Sequence, residues 1–328
     1  MKIIFNSMNC GLGNNGGSQT IIKSANTLKK LGHEVTIVDT GKNQYTWGPT
    51  EVNHLIIKDY TQIPEADSII ATGIKTLEST DKCNIKNKYH WIRGWETWNI
   101  PEDKLVNIIK NSSSIKIVNS FCLRKKLKSF DIESYGIRPG YDFDETYPMC
   151  LRFKNKKIVI GGLFNSGKKR DGKRTEWIIK AFHQLQSIQP IELYMFGSDG
   201  KPNSNYSFFV QNPSPKQKNL IYNKCDIWLS PSELEGLHIP PAEAGLTQCC
   251  VITTDAEMSG TQDYIIDKET GLVSKNDFDS FLTSIEEAII DKDLRYELGK
   301  NLWNKILELG SREDNMKRLV TLLEELNK

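Results

Sequence analysis

Apolar residues along this chain fall into two kinds of pattern. Short unbroken runs suit strands buried on both faces, and longer stretches repeat their apolar positions at helical spacing. The first run is Lys2 to Asn6, KIIFN. A glycine-rich turn, CGLGNNGGSQT, follows at 10–20. Thr20 to Leu31 then has helical spacing, and Gly32 ends it as a C′ glycine does. Val35 to Val38 is the next strand, with Asp39 at its end. Val52 to Ile57, Ala66 to Thr72 and Lys88 to Ile92 read as further strands, and Phe121 to Phe130 as a basic amphipathic helix. Beyond residue 150 the alternation restarts. Lys157 to Gly162, Ile191 to Phe196, Phe208 to Gln211 and Asp226 to Leu229 read as strands. Thr175 to Leu185, Ala242 to Leu246, Asp277 to Ile290, Leu294 to Leu309 and Arg312 to Leu326 read as helices. Strands alternating with helices predict parallel, doubly wound sheets. Such sheets bind ligands beyond the carboxyl ends of their strands.

Composition narrows the function class. A chain of 328 residues has room for two domains. A net charge of +2 gives no pull toward nucleic acid. The seven cysteines form no C-x-x-C pair and their number is odd, which fits a reducing compartment. MKIIFNSMN has too short an apolar run for a signal peptide, and no apolar stretch reaches the ~18 residues a membrane span needs. The expected location is cytoplasmic, with peripheral membrane contact through the basic helix 121–130 as an option. The other reading of that helix is a solvated face.

The chemistry concentrates in WLSPSELEGLHIPPAEAGLT, 228–247. Ser230-Pro231-Ser232 breaks a strand, and a loop runs from Glu233 to His238. Pro240 and Pro241 then lead into the helix, since proline suits a first helical turn. The loop would therefore present amides and a helix dipole to an anion. Glu235 on the loop and Glu243, expected in the first helical turn, would accept from hydroxyls. A ligand both anionic and hydroxyl-rich fits this set. The plain alternative is a proline-started helix with solvated acids.

The spacing of Glu235 and Glu243, inside S-x-x-E-G-L-H-x-P-P-x-E-A, resembles the donor signature of the retaining, GT4-like "glycosyl transferases group 1". The flanks LIYNKCD (220–226), VITTD (251–255) and YIIDKETGLV (264–273) resemble that family's too. In the first half, DSIIATG (67–73), SIKIVNS (114–120) and YGIRPGYD (135–142) resemble its strand ends more loosely. The resemblance implies a GT-B fold, two Rossmann-like domains facing across a cleft. Their expected spans are 1–150 and 151–310, with 311–328 a helix packing back on the first. It implies transfer of a sugar from a nucleotide-diphosphate sugar to a glycan, lipid or small-molecule acceptor hydroxyl, with retention and without a metal cofactor.

Site roles follow from the resemblance. Glu235 would face the donor sugar, Glu243 the ribose, and Lys173 the departing diphosphate. Gly236, Leu237 and His238 would line the donor, and Gln211 would lie near the nucleotide base. Gly16 and Gly17 would admit the diphosphate to the first domain's backbone. Arg93 stands where many family members place a histidine. Gly162 falls where the family has an arginine, and Lys168, Lys169 or Arg170 would supply the missing cation. RGWETW, 93–98, puts Trp95 and Trp98 beside Arg93 and Glu96, with Trp91 just before. These aromatics would stack on a sugar or form a core layer.

Two competitors remain. GLGNNG, 11–16, with Asp39 about 20 residues on, matches a dinucleotide fingerprint and would make the chain an NAD(P)-dependent oxidoreductase. Its glycines, however, start well beyond the expected strand end. The other competitor is a catalytically idle sugar-nucleotide-binding protein of the same fold.

Overall fold

The computed structural model describes residues 1–98, 100–167 and 172–328. Lys168, Lys169 and Arg170 lie outside the described residues. The chain divides into two units, Met1–Gly140 with Gly310–Lys328, and Tyr141–Leu309.

The first unit holds β1 (Lys2–Asn6), α1 (Gly16–Lys30), β2 (Glu34–Asp39), β3 (Asn53–Ile56), β4 (Ser68–Ala71), α2 (Leu77–Lys82), β5 (Asn87–Ile92), α3 (Glu102–Asn111), β6 (Ile115–Val118), α4 (Phe121–Lys128) and β7 (Tyr135–Gly136). Every strand pair is parallel, in the order β3-β2-β1-β4-β5-β6-β7. Side chains alternate across the sheet. Ile3, Phe5, Tyr89 and Trp91 face α1, while Ile4, Val38 and Ile69 join Cys83 and Ile85 in a second core.

The second unit repeats the plan. It holds β8 (Ile158–Phe164), α5 (Thr175–Leu185), β9 (Ile191–Gly197), β10 (Phe208–Gln211), α6 (Pro215–Lys224), β11 (Ile227–Ser230), α7 (Ile239–Leu246), β12 (Cys250–Thr254), β13 (Leu272–Ser274), α8 (Phe278–Ile290) and α9 (Lys292–Leu309). The sheet order is β10-β9-β8-β11-β12-β13, again all parallel. Ile160, Leu229 and Ile252 pack under α5 and α8, and Val159, Trp228 and Val251 pack against α6, α7 and α9.

The last helix, α10 (Arg312–Leu326), belongs to the first unit and packs on α1. Met316, Leu319, Val320 and Leu323 enter the core beside Ile21 and Leu28. Burying an apolar side chain of this size contributes about 1.5–3 kcal/mol. Gly140 makes the approach possible. Its φ is +74°, and a Cβ there would lie 2.4 Å from the Ser311 carbonyl oxygen.

The first division falls at 140/141, not at 150. Tyr141 is buried in the second unit's core, and the amides of Tyr147 and Met149 donate to Asn219 and Asn223 of α6. That side-chain anchoring, which no local pattern announces, draws residues 141–150 into the second unit.

Candidate functional site

In the second unit the loop 231–238 is held by a second loop, 256–261. The Glu235 amide donates to the Met258 carbonyl at 2.7 Å, and the His238 amide donates to Gly260 at 3.0 Å. Tyr264 Oη donates to the His238 carbonyl. Gly260 lies so close that a Cβ there would come within 2.7 Å of Glu235 Cβ. This brace was missed from sequence. The Ser259-Gly260 turn was its only signal.

The Glu233 amide donates to the Gly172 carbonyl at 2.9 Å, which brings the β8–α5 loop alongside. Lys173 Nζ then reaches Glu235 Oε1 as an ion pair, both side chains largely shielded from solvent. His238 Nε2 lies 3.5 Å from the same oxygen. Ser230 Oγ is 3.0 Å from His238 Nδ1. A carboxylate facing Nε2 favours the tautomer protonated there, so the Ser230 hydroxyl donates to Nδ1. Burial keeps this imidazole neutral and lowers its pKa to about 4, against the opposing pull of Glu235.

Glu243 is not in the first turn of its helix. α7 starts at Ile239, with Pro240 and Pro241 inside that turn, so Glu243 falls one turn later. Its carboxylate is held by α6 instead of by the dipole. Lys218 Nζ donates to Oε1 at 2.9 Å and Tyr222 Oη to Oε2 at 2.7 Å. Tyr222 is fully buried, which together with Glu243 raises its pKa well above the usual phenol value. The prolines also thin the expected anion cradle. Pro240 and Pro241 have no amide hydrogens, and the His238 amide is engaged by Gly260. Leu237 points into the core, and Gly236 links the two acids' loop to it.

The structure explains Gly162. It pairs with Leu229 inside the sheet, and a Cβ would lie 2.8 Å from Ile178 Cδ1. An arginine has no room there. Arg174, beside Lys173, supplies a cation the sequence reading passed over, but it pairs with Glu233 at 2.5 Å. Gln211 ends β10, exposed at the carboxyl edge.

Residues 154–304 match the family described as glycosyl transferases group 1. These residues are a group 1 glycosyltransferase domain. CapM of Staphylococcus aureus, a capsular polysaccharide biosynthesis glycosyltransferase, is 31% identical over 170 residues, 48% of this chain. The match spans 43% of CapM's own length. Among solved structures, sucrose-phosphate synthase of Thermosynechococcus elongatus superposes with a TM-score of 0.80 at 15% identity, covering 99% of each chain. Anabaena HepE, solved with UDP-glucose, superposes with a TM-score of 0.77 at 14% identity, covering 99% of this chain and 100% of its own. The chain therefore has the GT-B fold of two Rossmann-like units.

Lys173, Gln211, Glu235, His238 and Glu243 all lie inside the group 1 domain, and Gly16, Gly17 and Arg93 lie outside it. Gly16 and Gly17 are not loop residues. They open α1, capped by Asn15, whose side chain accepts from the Ser18 amide at 2.9 Å. A Cβ on Gly16 would touch nothing. Arg93 donates to the Gly17 carbonyl at 2.6 Å and to the Thr72 carbonyl at 2.7 Å, tying α1 to the end of β4. Two of the three tryptophans are core and cannot stack on a sugar. Trp91 is buried under α1, and Trp95 is buried, stacked on Phe130 with centroids 5.9 Å apart. Trp98 is 43% exposed.

The dinucleotide fingerprint fails on geometry. Nine residues separate the last residue of β1, Asn6, from Gly16, so the motif's glycines form no tight strand-to-helix turn. Asp39 is fully buried, and its carboxylate accepts from the Thr40 amide. No ribose reaches it there. On α4, Cys122, Leu123 and Leu127 pack inward, and Lys126 pairs with Glu102 at 3.1 Å.

Proposed function

We propose that this protein transfers a sugar from a nucleotide-diphosphate sugar to an acceptor hydroxyl, with retention of anomeric configuration and without a metal. One observation carries the reading. Two carboxylates of a group 1 glycosyltransferase domain, Glu235 and Glu243, stand on the loop and the helix that follow β11, each matched to its own lysine. CapM's description as a glycosyltransferase and the UDP-glucose in the HepE structure support it.

The chemistry distributes as follows. Breaking the bond between the anomeric carbon and the β-phosphate oxygen adds a negative charge to the two the diphosphate already carries, and fixed cations lower that barrier. Lys173 is the cation in place. Without a ligand its ammonium neutralises Glu235. With a donor bound it would lie between that carboxylate and the diphosphate. Glu235 would accept from donor-sugar hydroxyls and sit against the positive charge developing on the sugar. Glu243, aimed by Lys218 and Tyr222, would accept from the two ribose hydroxyls.

The test is turnover of UDP-, GDP- and ADP-sugars, followed by nucleoside diphosphate release and by proton NMR of the first-formed sugar product. One donor is expected to turn over, equally well in EDTA, and to give the donor's own anomer. An inverted anomer would remove retention, and loss of rate in EDTA would remove metal independence. Tight binding without turnover would establish the idle sugar-nucleotide-binding reading.

A further inference from the structure

His238 is a buried imidazole that the donor chemistry leaves unused. It stands at the N-cap of α7. A side chain at an N-cap ordinarily accepts from the second or third helical amide. Here those positions are Pro240 and Pro241, which have no N–H. The ring is released from capping and turns toward the end of β11. Its backbone is fixed on both sides. The amide donates to the Gly260 carbonyl at 3.0 Å, and the carbonyl accepts from Tyr264 Oη.

One ring edge meets Ser230, the last residue of β11, whose Oγ lies 3.0 Å from Nδ1. Ser230 is itself buried, and its carbonyl accepts from Thr253 Oγ1 at 3.1 Å. The other edge puts Nε2 3.5 Å from Glu235 Oε1. That is roughly half an ångström beyond the usual N–H···O separation. Lys173 Nζ pairs with the same oxygen. With 3% of its surface exposed, His238 is too enclosed to lie against a ligand, and its reach toward one runs through Glu235.

We infer that His238 is a positioning residue for Glu235, whose carboxylate its Nε2–H takes over when Lys173 turns to the diphosphate. This rests on the glycosyltransferase reading above. Lys173 cannot serve the departing phosphate and hold Glu235 as closely as it does without a ligand. A shielded carboxylate that gives up an ion pair needs a donor in its place. A small movement of Glu235 toward Nε2 supplies one. The donor has to be neutral. An imidazolium would cancel the negative charge that Glu235 offers to the sugar, whereas a neutral N–H holds the carboxylate and leaves it charged. Burial provides that state, lowering the His238 pKa to about 4. Ser230 provides the tautomer, since a hydroxyl donating to Nδ1 keeps the proton on Nε2.

Asparagine and glutamine separate the two ring nitrogens. An asparagine amide reaches the place of Nδ1, and a glutamine amide that of Nε2. With the nucleotide sugar that the wild type turns over, His238→Asn should lower kcat roughly tenfold to hundredfold, the scale of a hydrogen bond to a charged group. His238→Gln should recover most of that loss. Calorimetric affinity for the nucleoside diphosphate should stay the same in both, which also shows that they fold. A role in packing alone would lower the stability of both variants and leave the kcat of the folded protein unchanged. Equal kcat in wild type and His238→Asn therefore overturns the inference, and so does an equal loss in both variants. In the unliganded wild type, 15N NMR of ring-labelled histidine should show His238 as the Nε2–H tautomer, assigned by its absence from His238→Asn. The Nδ1–H tautomer overturns the inference whatever the activity. The Nε2–H tautomer in a wild type that turns over no nucleotide sugar would instead strike the glycosyltransferase reading, and this inference would fall with it.

Discussion

His90 and His238 are buried and neutral, and both make stability depend on pH. Burial lowers the His90 pKa to about 3 and the His238 pKa to about 4. Among the described residues His90 has no hydrogen-bond partner on either ring nitrogen, and Lys116 and Arg93 disfavour its charge further. In the unfolded chain each imidazole takes a proton near pH 6.5, but the folded chain takes none until much lower. The unfolded state therefore binds more protons between those values, and stability falls as pH drops below 6.5. Between pH 6.5 and 5 the loss is on the order of 2 kcal/mol for each histidine. Urea unfolding across that range should show it, and His90→Gln should flatten part of the slope. A pH-independent midpoint would contradict the assignment.

At this scale the acids of the site were legible and their partners were not. Glu235 and Glu243 lie in one segment with a recognisable spacing. Lys218 and Tyr222 come from the preceding helix, where nothing in the local pattern says which face meets α7. Lys173 was found only by counting along a family pattern. Its ion pair with Glu235 depends on the Gly172–Glu233 backbone bond, which no local sequence pattern shows.

At the scale of elements, helix starts were where sequence reading slipped. α1 was expected from Thr20 and begins at Gly16, because two glycines in a first turn weaken the propensity signal while Asn15 caps it. α7 begins at Ile239, ahead of the prolines that mark its threshold in the sequence. α2 and α3 went unread, and α6 was noticed only as a family flank. The strands fared better because buried parallel strands are short unbroken apolar runs.

Gly161 shows what the strand β8 demands. A Cβ there would lie 2.5 Å from both Cys225 Sγ and the Trp228 ring, and Trp228 is wedged against Phe196 and Tyr222. Gly161→Ala should cost about 1–3 kcal/mol through overpacking, read as a lower urea midpoint. An unchanged midpoint would mean that the Trp228 layer is looser than its contacts indicate.

For the whole molecule, the two-sheet plan was legible from alternating strands and helices. The discontinuous first unit, closed by α10, was an expectation carried by resemblance. Its physical basis is the apolar face Met316, Leu319, Val320 and Leu323 laid on α1. The handover at 140/141 was not legible, because it is fixed by Tyr141 and by two asparagines of α6.

The proposed activity rests on Glu243 accepting from ribose hydroxyls inside a nucleoside diphosphate site. The most direct measurement is a calorimetric titration of UDP, GDP, ADP and NAD into the wild type and into Glu243→Gln. One nucleoside diphosphate should bind the wild type, and the variant should bind it roughly tenfold or more weakly, having lost charge-assisted hydrogen bonds. Binding of NAD alone, or a nucleoside diphosphate held equally well by both proteins, would contradict the account.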